Sequence, residues 1–143
     1  MRRRKARELA LRMLYQGETN SDDSESALSK YCEIFPYQQD IIDYASLLLS
    51  GIKQNQPVID AKIAACCEHW RLDRITYVDK NILRVGIYEM LFVPDVPPKV
   101  SIDEAIELGK KYGNEDSRVF INGVLDKVMR GYYGEGDKVK GEK

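Results

Sequence analysis

The chain has 143 residues, 43 % hydrophobic and 31 % charged, which allows one domain with a proper core and includes no apolar run long enough to cross a membrane. Its cysteines, Cys32, Cys66 and Cys67, are odd in number and lack C-x-x-C spacing, which argues against a disulfide framework and fits a reducing compartment. The net charge of −1 hides a segregation: Arg2, Arg3, Arg4, Lys5, Arg7 and Arg12 surround the single acid Glu8, whereas Glu18 to Asp43 holds seven acids and one base, Lys30.

Helical periodicity dominates. Ala6, Leu9, Ala10, Met13 and Leu14 recur at three- and four-residue spacing and mark the buried face of a first helix, ended by Gly17 and the polar stretch from Thr19 to Asp23. A short helix follows over Ser26 to Ile34. Pro36 opens a long one with Ile41, Ile42, Ala45, Leu48, Leu49 and Ile52 on its buried face. Pro57, tolerated in a first helical turn, starts another, with the stripe Ile59, Ile63, Cys66, Cys67 and Trp70. A helix over about Tyr77 to Phe92 offers Val78, Ile82, Leu83 and Val85 to the core. The loop Pro94 to Lys99 holds three prolines and cannot continue it. Ser101 and Glu104 read as a capping box ahead of Ala105, Ile106 and Leu108, and Gly113 stops that helix. A last helix spans about Ser117 to Arg130, after which glycine and lysine predict a flexible tail over 131–143. No β-alternation or internal repeat interrupts the pattern, so the fold class is all-α with antiparallel neighbours.

The basic run at the start of the first helix needs a reason. A helix N-terminus already carries partial positive charge, so cations there are unfavourable by some tenths of a kcal/mol each, and like-charge pairs such as Arg3 and Arg7 add repulsion. A bound polyanion removes the conflict. On the helical wheel Arg4, Arg7, Leu11 and Tyr15 share a strip turned away from the core face at Leu9, Ala10 and Met13. Guanidiniums beside a tyrosine suit a nucleic-acid backbone with an unstacked base nearby. The alternative is a solvated arm, since basic runs are common.

Other candidate sites are weaker. His69, the single histidine, lies within a turn of Cys66 but lacks the further ligands of a zinc site, and Cys66 and Cys67 read as small core residues. Asp103, Glu104 and Glu107 are accounted for by capping and the helix dipole. No phosphate-binding loop or nucleophile motif occurs, so no cofactor, metal or catalytic residue is expected. Gly123 inside the last helix suggests close helix packing, and Phe120 sits at the edge of the stripe Ile121, Val124, Leu125 and Val128.

Several motifs in order carry a resemblance. The segments Val78–Met90, Pro97–Leu108 and Glu115-Asp116-Ser117 followed by Phe120–Lys127, together with the arginine-rich start containing Ala6-Arg7-Glu8 and Leu14-Tyr15-Gln16, resemble the NusB family of transcription antitermination proteins. The likeness spans roughly Arg2 to Val128. It implies an all-α fold of about seven helices in two packed small bundles, with 1–130 as a single RNA-binding domain. It also implies a non-catalytic, cytoplasmic factor that binds single-stranded boxA RNA in nascent ribosomal transcripts jointly with NusE, a small-subunit ribosomal protein, in an antitermination complex with RNA polymerase. By motif position, Arg3, Arg4 and Arg7 would contact RNA, with Arg2 and Lys5 in the same basic patch. Phe120 would lie on the RNA side with Asp116 close by. Tyr15, Asp73 and Asp79 would lie toward the protein partner, although the wheel also leaves Tyr15 open as a stacking surface.

Two departures are Val119, where many relatives carry a basic residue, and Gly17, where an aromatic is frequent. Two rival readings are an inert helical adaptor and the NusB-like module of ribosomal RNA cytosine methyltransferases. The chain reaches Lys143 without a methyl-donor-binding domain, which weighs against the enzyme.

Overall fold

The computed structural model describes residues 2–20, 24–67 and 75–133, which form six α-helices and no strand. They are α1 (Arg2–Asn20), α2 (Ser24–Ile34), α3 (Gln39–Ala65), α4 (Tyr77–Phe92), α5 (Pro98–Tyr112) and α6 (Ser117–Tyr133). The count falls one short of the expected seven because Pro57 lies inside α3 instead of starting a new helix. Proline there removes one backbone donor and crowds the preceding turn. In that turn the Asn55 side-chain amide donates to the Gly51 carbonyl at 2.8 Å. Fully buried isoleucines on both sides of the proline, Ile52 before it and Ile59 and Ile63 after it, hold the helix together.

The chain divides into two compact units, Met1–Asn55 and Gln56–Lys143. In the first, α1 packs on α2. Ala6, Leu9, Ala10, Met13, Ile41 and Leu48 are buried, as periodicity predicts, and so is Leu28 of α2, whereas Leu14 and Ile42, expected on the same faces, are half-buried. Leu11 and Arg7 are buried as well, each 4 % exposed, so α1 hides more than one face.

In the second unit α4, α5 and α6 pack against one another. Two glycines set their approach. A Cβ at Gly86 would meet Leu125 at 3.1 Å and Ala105 at 3.5 Å, and one at Gly109 would meet Ile121 at 2.9 Å. Gly123, expected to serve close packing, is exposed with nothing within 4 Å of where its Cβ would be. The surface around it is open because α6 turns Ile121, Val124, Leu125 and Val128 to the core instead.

The start of α5 differs from the capping-box expectation. The helix begins one turn earlier, at Pro98, whose fixed φ is already helical. Ser101 is therefore inside the helix, 1 % exposed, with its hydroxyl unpartnered. Gly113 does terminate α5, and its N–H donates to the Gly109 carbonyl at 3.0 Å. Helix α6 continues to Tyr133, past the expected end at Arg130. The rest of the expected tail, residues 134–143, lies outside the described residues.

Helix α4 is buried without a break from Asn81 to Ile87, so its polar side chains need partners. Arg84 grips Asp60 of α3 in a fork, Nε to Oδ1 and Nη2 to Oδ2, both at 2.9 Å, and its Nη1 donates to Asn81 Oδ1 at 2.9 Å. Asn81 in turn donates to the Tyr77 carbonyl at 2.9 Å. Removing one member of such a pair strands a buried charge, a loss of about 3–5 kcal/mol. Asp60→Ala is therefore expected to destabilise the protein by about 3 kcal/mol, read as a lower urea midpoint with an unchanged slope.

Candidate functional site

The basic start of α1 lies on the surface of the first unit. Arg2, Arg4 and Lys5 are exposed and Arg3 is half-buried. The first turn of α1 contains no acid, so no carboxylate in that turn offsets the positive end of the helix dipole. Neighbouring segments relieve part of it. Arg2 pairs with Asp40 of α3, Nε to Oδ2 at 3.1 Å and Nη1 to Oδ1 at 3.2 Å. The Arg3 guanidinium lies 4.4 Å from the centre of the Tyr44 ring, a cation–π contact. The strip expected to point away from the core is split. Arg4 is exposed and Tyr15 is 43 % exposed, but Arg7 and Leu11 are buried. Arg7 therefore presents little surface to a phosphate, because α1 is covered on a second face.

Sequence reasoning did not find the aromatic group beside this patch. Tyr31 and Phe35 pack with ring centres 4.8 Å apart and planes tilted by 33°, Tyr37 lies 6.4 Å from Tyr31, and the Arg12 guanidinium lies 5.6 Å from the centre of the Tyr31 ring. A cleft of about 360 Å³ opens between the start of α1 and the α2–α3 loop, lined by Arg2, Lys5, Pro36, Tyr37, Gln38 and Ile41. Partial burial, and next the Tyr31 hydroxyl, push the Tyr37 phenol above its ordinary range, so it is neutral at physiological pH. The available signal was the local run Phe35-Pro36-Tyr37, which has no core periodicity.

A second cluster lies in the other unit, at the junction of α4 with the α5–α6 turn. Thr76 caps α4 by accepting from the Asp79 N–H at 3.1 Å. Asp79 is 6 % exposed, and its Oδ1 accepts from Ser117 Oγ at 2.7 Å. Ser117 Oγ accepts from the Asn114 N–H, and Asn114 Oδ1 accepts from the Asp116 N–H, both at 2.9 Å. Asp79, expected to face a protein partner, is thus buried and bonded to Ser117 instead of lying open on the surface. Asp116 is exposed, and one turn on is Phe120, half-buried, its N–H donating to the Asp116 carbonyl at 3.1 Å. The two residues are one helical turn apart, with Val119 between them 68 % exposed. Asp73, the remaining candidate, lies outside the described residues, as do His69 and Trp70. Burial raises the thiol pKa of Cys32, Cys66 and Cys67, which keeps them protonated and poorly nucleophilic.

Asp79 also makes a pH prediction. Desolvation raises its pKa and the Ser117 hydrogen bond lowers it by less, leaving it above 3.8. A carboxyl raised in the fold binds protons more tightly there than in the unfolded chain. Its contribution to stability is therefore full below the unfolded pKa and is lost as pH rises through the folded one. Asp79→Asn keeps an acceptor for Ser117 and removes that loss. Its melting temperature is expected to equal or exceed that of the parent at pH 7, and this advantage should vanish below about pH 4. Thermal unfolding followed by circular dichroism across pH measures both.

Comparisons with known proteins bear on the family and the overall fold. The profile of the NusB family matches residues 4–130. The chain is 47 % identical over 131 residues to transcription antitermination protein NusB of Anaeromyxobacter dehalogenans, covering 91 % of this chain and 92 % of the relative. Among solved structures, T. maritima NusB superposes with a TM-score of 0.83 at 39 % identity, covering 90 % of each chain. A crystal structure of the antitermination factors NusB and NusE in complex with double-stranded RNA gives a TM-score of 0.82 at 28 % identity, over 92 % of this chain and 98 % of that one.

Proposed function

The chain belongs to the NusB family, and from that premise we propose that it is a non-catalytic transcription antitermination factor. It binds boxA RNA in nascent ribosomal transcripts together with NusE, the small-subunit ribosomal protein, within the antitermination complex on RNA polymerase. Residues 1–130 act as one RNA-binding domain and the setting is cytoplasmic. The observation that carries this reading is the run of cations that opens α1, with Arg2, Arg4 and Lys5 exposed and no acid in its first turn. That arrangement costs helix stability and is offset by a bound polyanion.

In this reading Arg2, Arg3, Arg4 and Lys5 track phosphates, and Arg7 supports them from within the fold. Phe120 and Asp116 form a second contact point, with the half-buried ring as a stacking surface. Tyr15, exposed on α1, faces NusE. Asp79 is left out of the partner surface because it is buried on Ser117.

Two measurements test the assignment. With three or four phosphates neutralised, log affinity for a single-stranded boxA RNA should fall against log salt with a slope of about −2 to −3. The double variant Arg4→Glu, Lys5→Glu should weaken binding at least tenfold and flatten the slope, with a melting temperature equal to or above the parent's, because acids suit a helix N-terminus. Equal affinity of the variant in a filter-binding series leaves an inert basic arm and the helical-adaptor reading. Separately, Tyr15→Ala should weaken NusE binding in titration calorimetry by about 1–2 kcal/mol. RNA binding by the isolated chain should be retained, while cooperative binding of the two ligands falls.

A further inference from the structure

The cleft beside α1 differs from the rest of the basic surface. It joins an apolar floor, Pro36 and Ile41, to an aromatic face, Tyr37, an amide, Gln38, and two cations at the rim, Arg2 and Lys5. Its volume of about 360 Å³ lies at the small end of the range for ligand sites, roughly 300–1,000 Å³, which suits one nucleotide and not a longer segment.

Its surroundings are costly for a surface with no occupant. Phe35 is 52 % exposed and Ile34 71 % exposed, although both are large enough to be worth about 1.5–3 kcal/mol if buried. Phe35 and Tyr31 are already in tilted ring contact, with Tyr37 beside them, so an added planar ring would extend an existing aromatic group. Arg2 is partly neutralised by Asp40, whereas Lys5 is exposed and, among the described residues, has no ion pair. An aromatic face next to a cation with no counter-ion is the arrangement that single-stranded nucleic acid uses, base on ring and phosphate on ammonium. An acidic peptide would satisfy Lys5 but would leave the aromatic face without a planar partner.

We propose that this cleft takes one unstacked nucleobase of a single RNA strand, with Tyr37 as its stacking surface and Lys5 holding the adjoining phosphate. The inference rests on the RNA-binding reading above and deepens it. The strand tracked by the α1 cations continues past the helix start toward the α2–α3 loop, so the footprint includes residues that basic charge alone does not mark. Stacking tolerates any base. The cleft therefore adds affinity along the strand, and Gln38 is the one side chain lining it whose amide can both donate to and accept from a base edge.

The test uses the full chain with NusE and a single-stranded boxA RNA extended by several nucleotides at each end. Tyr37→Ala is expected to weaken RNA binding about 5- to 100-fold with an unchanged salt slope, because an uncharged stacking contact releases no counter-ion. Lys5→Gln should reduce the magnitude of that slope by about 0.7. Tyr37→Trp should restore affinity and show an indole emission, relative to the parent, that is quenched on adding RNA. It also shows that loss in Tyr37→Ala is not misfolding, and circular dichroism of each variant checks the same point. If the parent binds RNA and Tyr37→Ala binds equally well, the cleft proposal is overturned and the antitermination reading stands. If Tyr37→Ala loses NusE affinity but keeps RNA affinity, the cleft belongs to the protein partner and the proposal is again overturned. If the parent with NusE binds no RNA at all, the reading and the inference fall together.

Discussion

The constraint on which the second unit depends is the burial of α4. A helix exposed on one side can leave its polar residues to water. From Asn81 to Ile87 this one cannot, and it carries an amide and a guanidinium through that stretch. The sequence answers with partners inside the fold: Asp60 accepts two bonds from Arg84, Asn81 accepts another, and Asn81 donates back to the Tyr77 carbonyl. Each bond is worth little net, but each unmade one would cost about 1–3 kcal/mol or more for a charge. The network therefore fixes which residues of α3 and α4 face each other more strictly than apolar packing would. Asp79 and Ser117 extend the same logic to the start of α6, which places Asp116 and Phe120 together at the surface.

The first unit shows the opposite balance. Its α1 begins with four consecutive cations where a helix prefers acids. Asp40 and the Tyr44 ring relieve Arg2 and Arg3, and these contacts also fix where the two guanidiniums point. What a stability argument counts as a defect is, in the RNA-binding role proposed above, a pre-oriented set of phosphate contacts. The exposed aromatics of the α2–α3 region fit the same proposed role, since rings kept out of the core are open to a stacking partner.

The helices themselves were legible because their signals are local. Apolar spacing located α1, α4 and α6 to within a few residues, and Gly113 marked the end of α5 by its position alone. The errors came where a local signal had two meanings. Pro57 is acceptable at a helix start and also, at a cost, within a helix whose flanking isoleucines are buried. Ser101 and Glu104 fit a capping box, but Pro98 starts the helix a turn earlier. Gly123 looks like a close-packing glycine, yet the close approaches occur at Gly86 and Gly109. Which of two local options wins depends on energies supplied by distant residues.

The sequence by itself determined the all-helical class, the family and the basic face of α1, because periodicity, ordered motifs and charge are properties of the chain read one residue after another. Tertiary structure decided which charged residues remain available. Arg7 and Arg4 are three apart and alike in chemistry, yet one is buried and the other exposed. Asp79 and Asp116 both flank helix starts, yet only Asp79 is consumed by Ser117, 38 positions away. The Tyr37 cleft likewise exists only because the α2–α3 loop folds back beside the start of α1. Burial and pairing between residues far apart in the chain have no local periodicity, so the sequence carries the groups but not their availability.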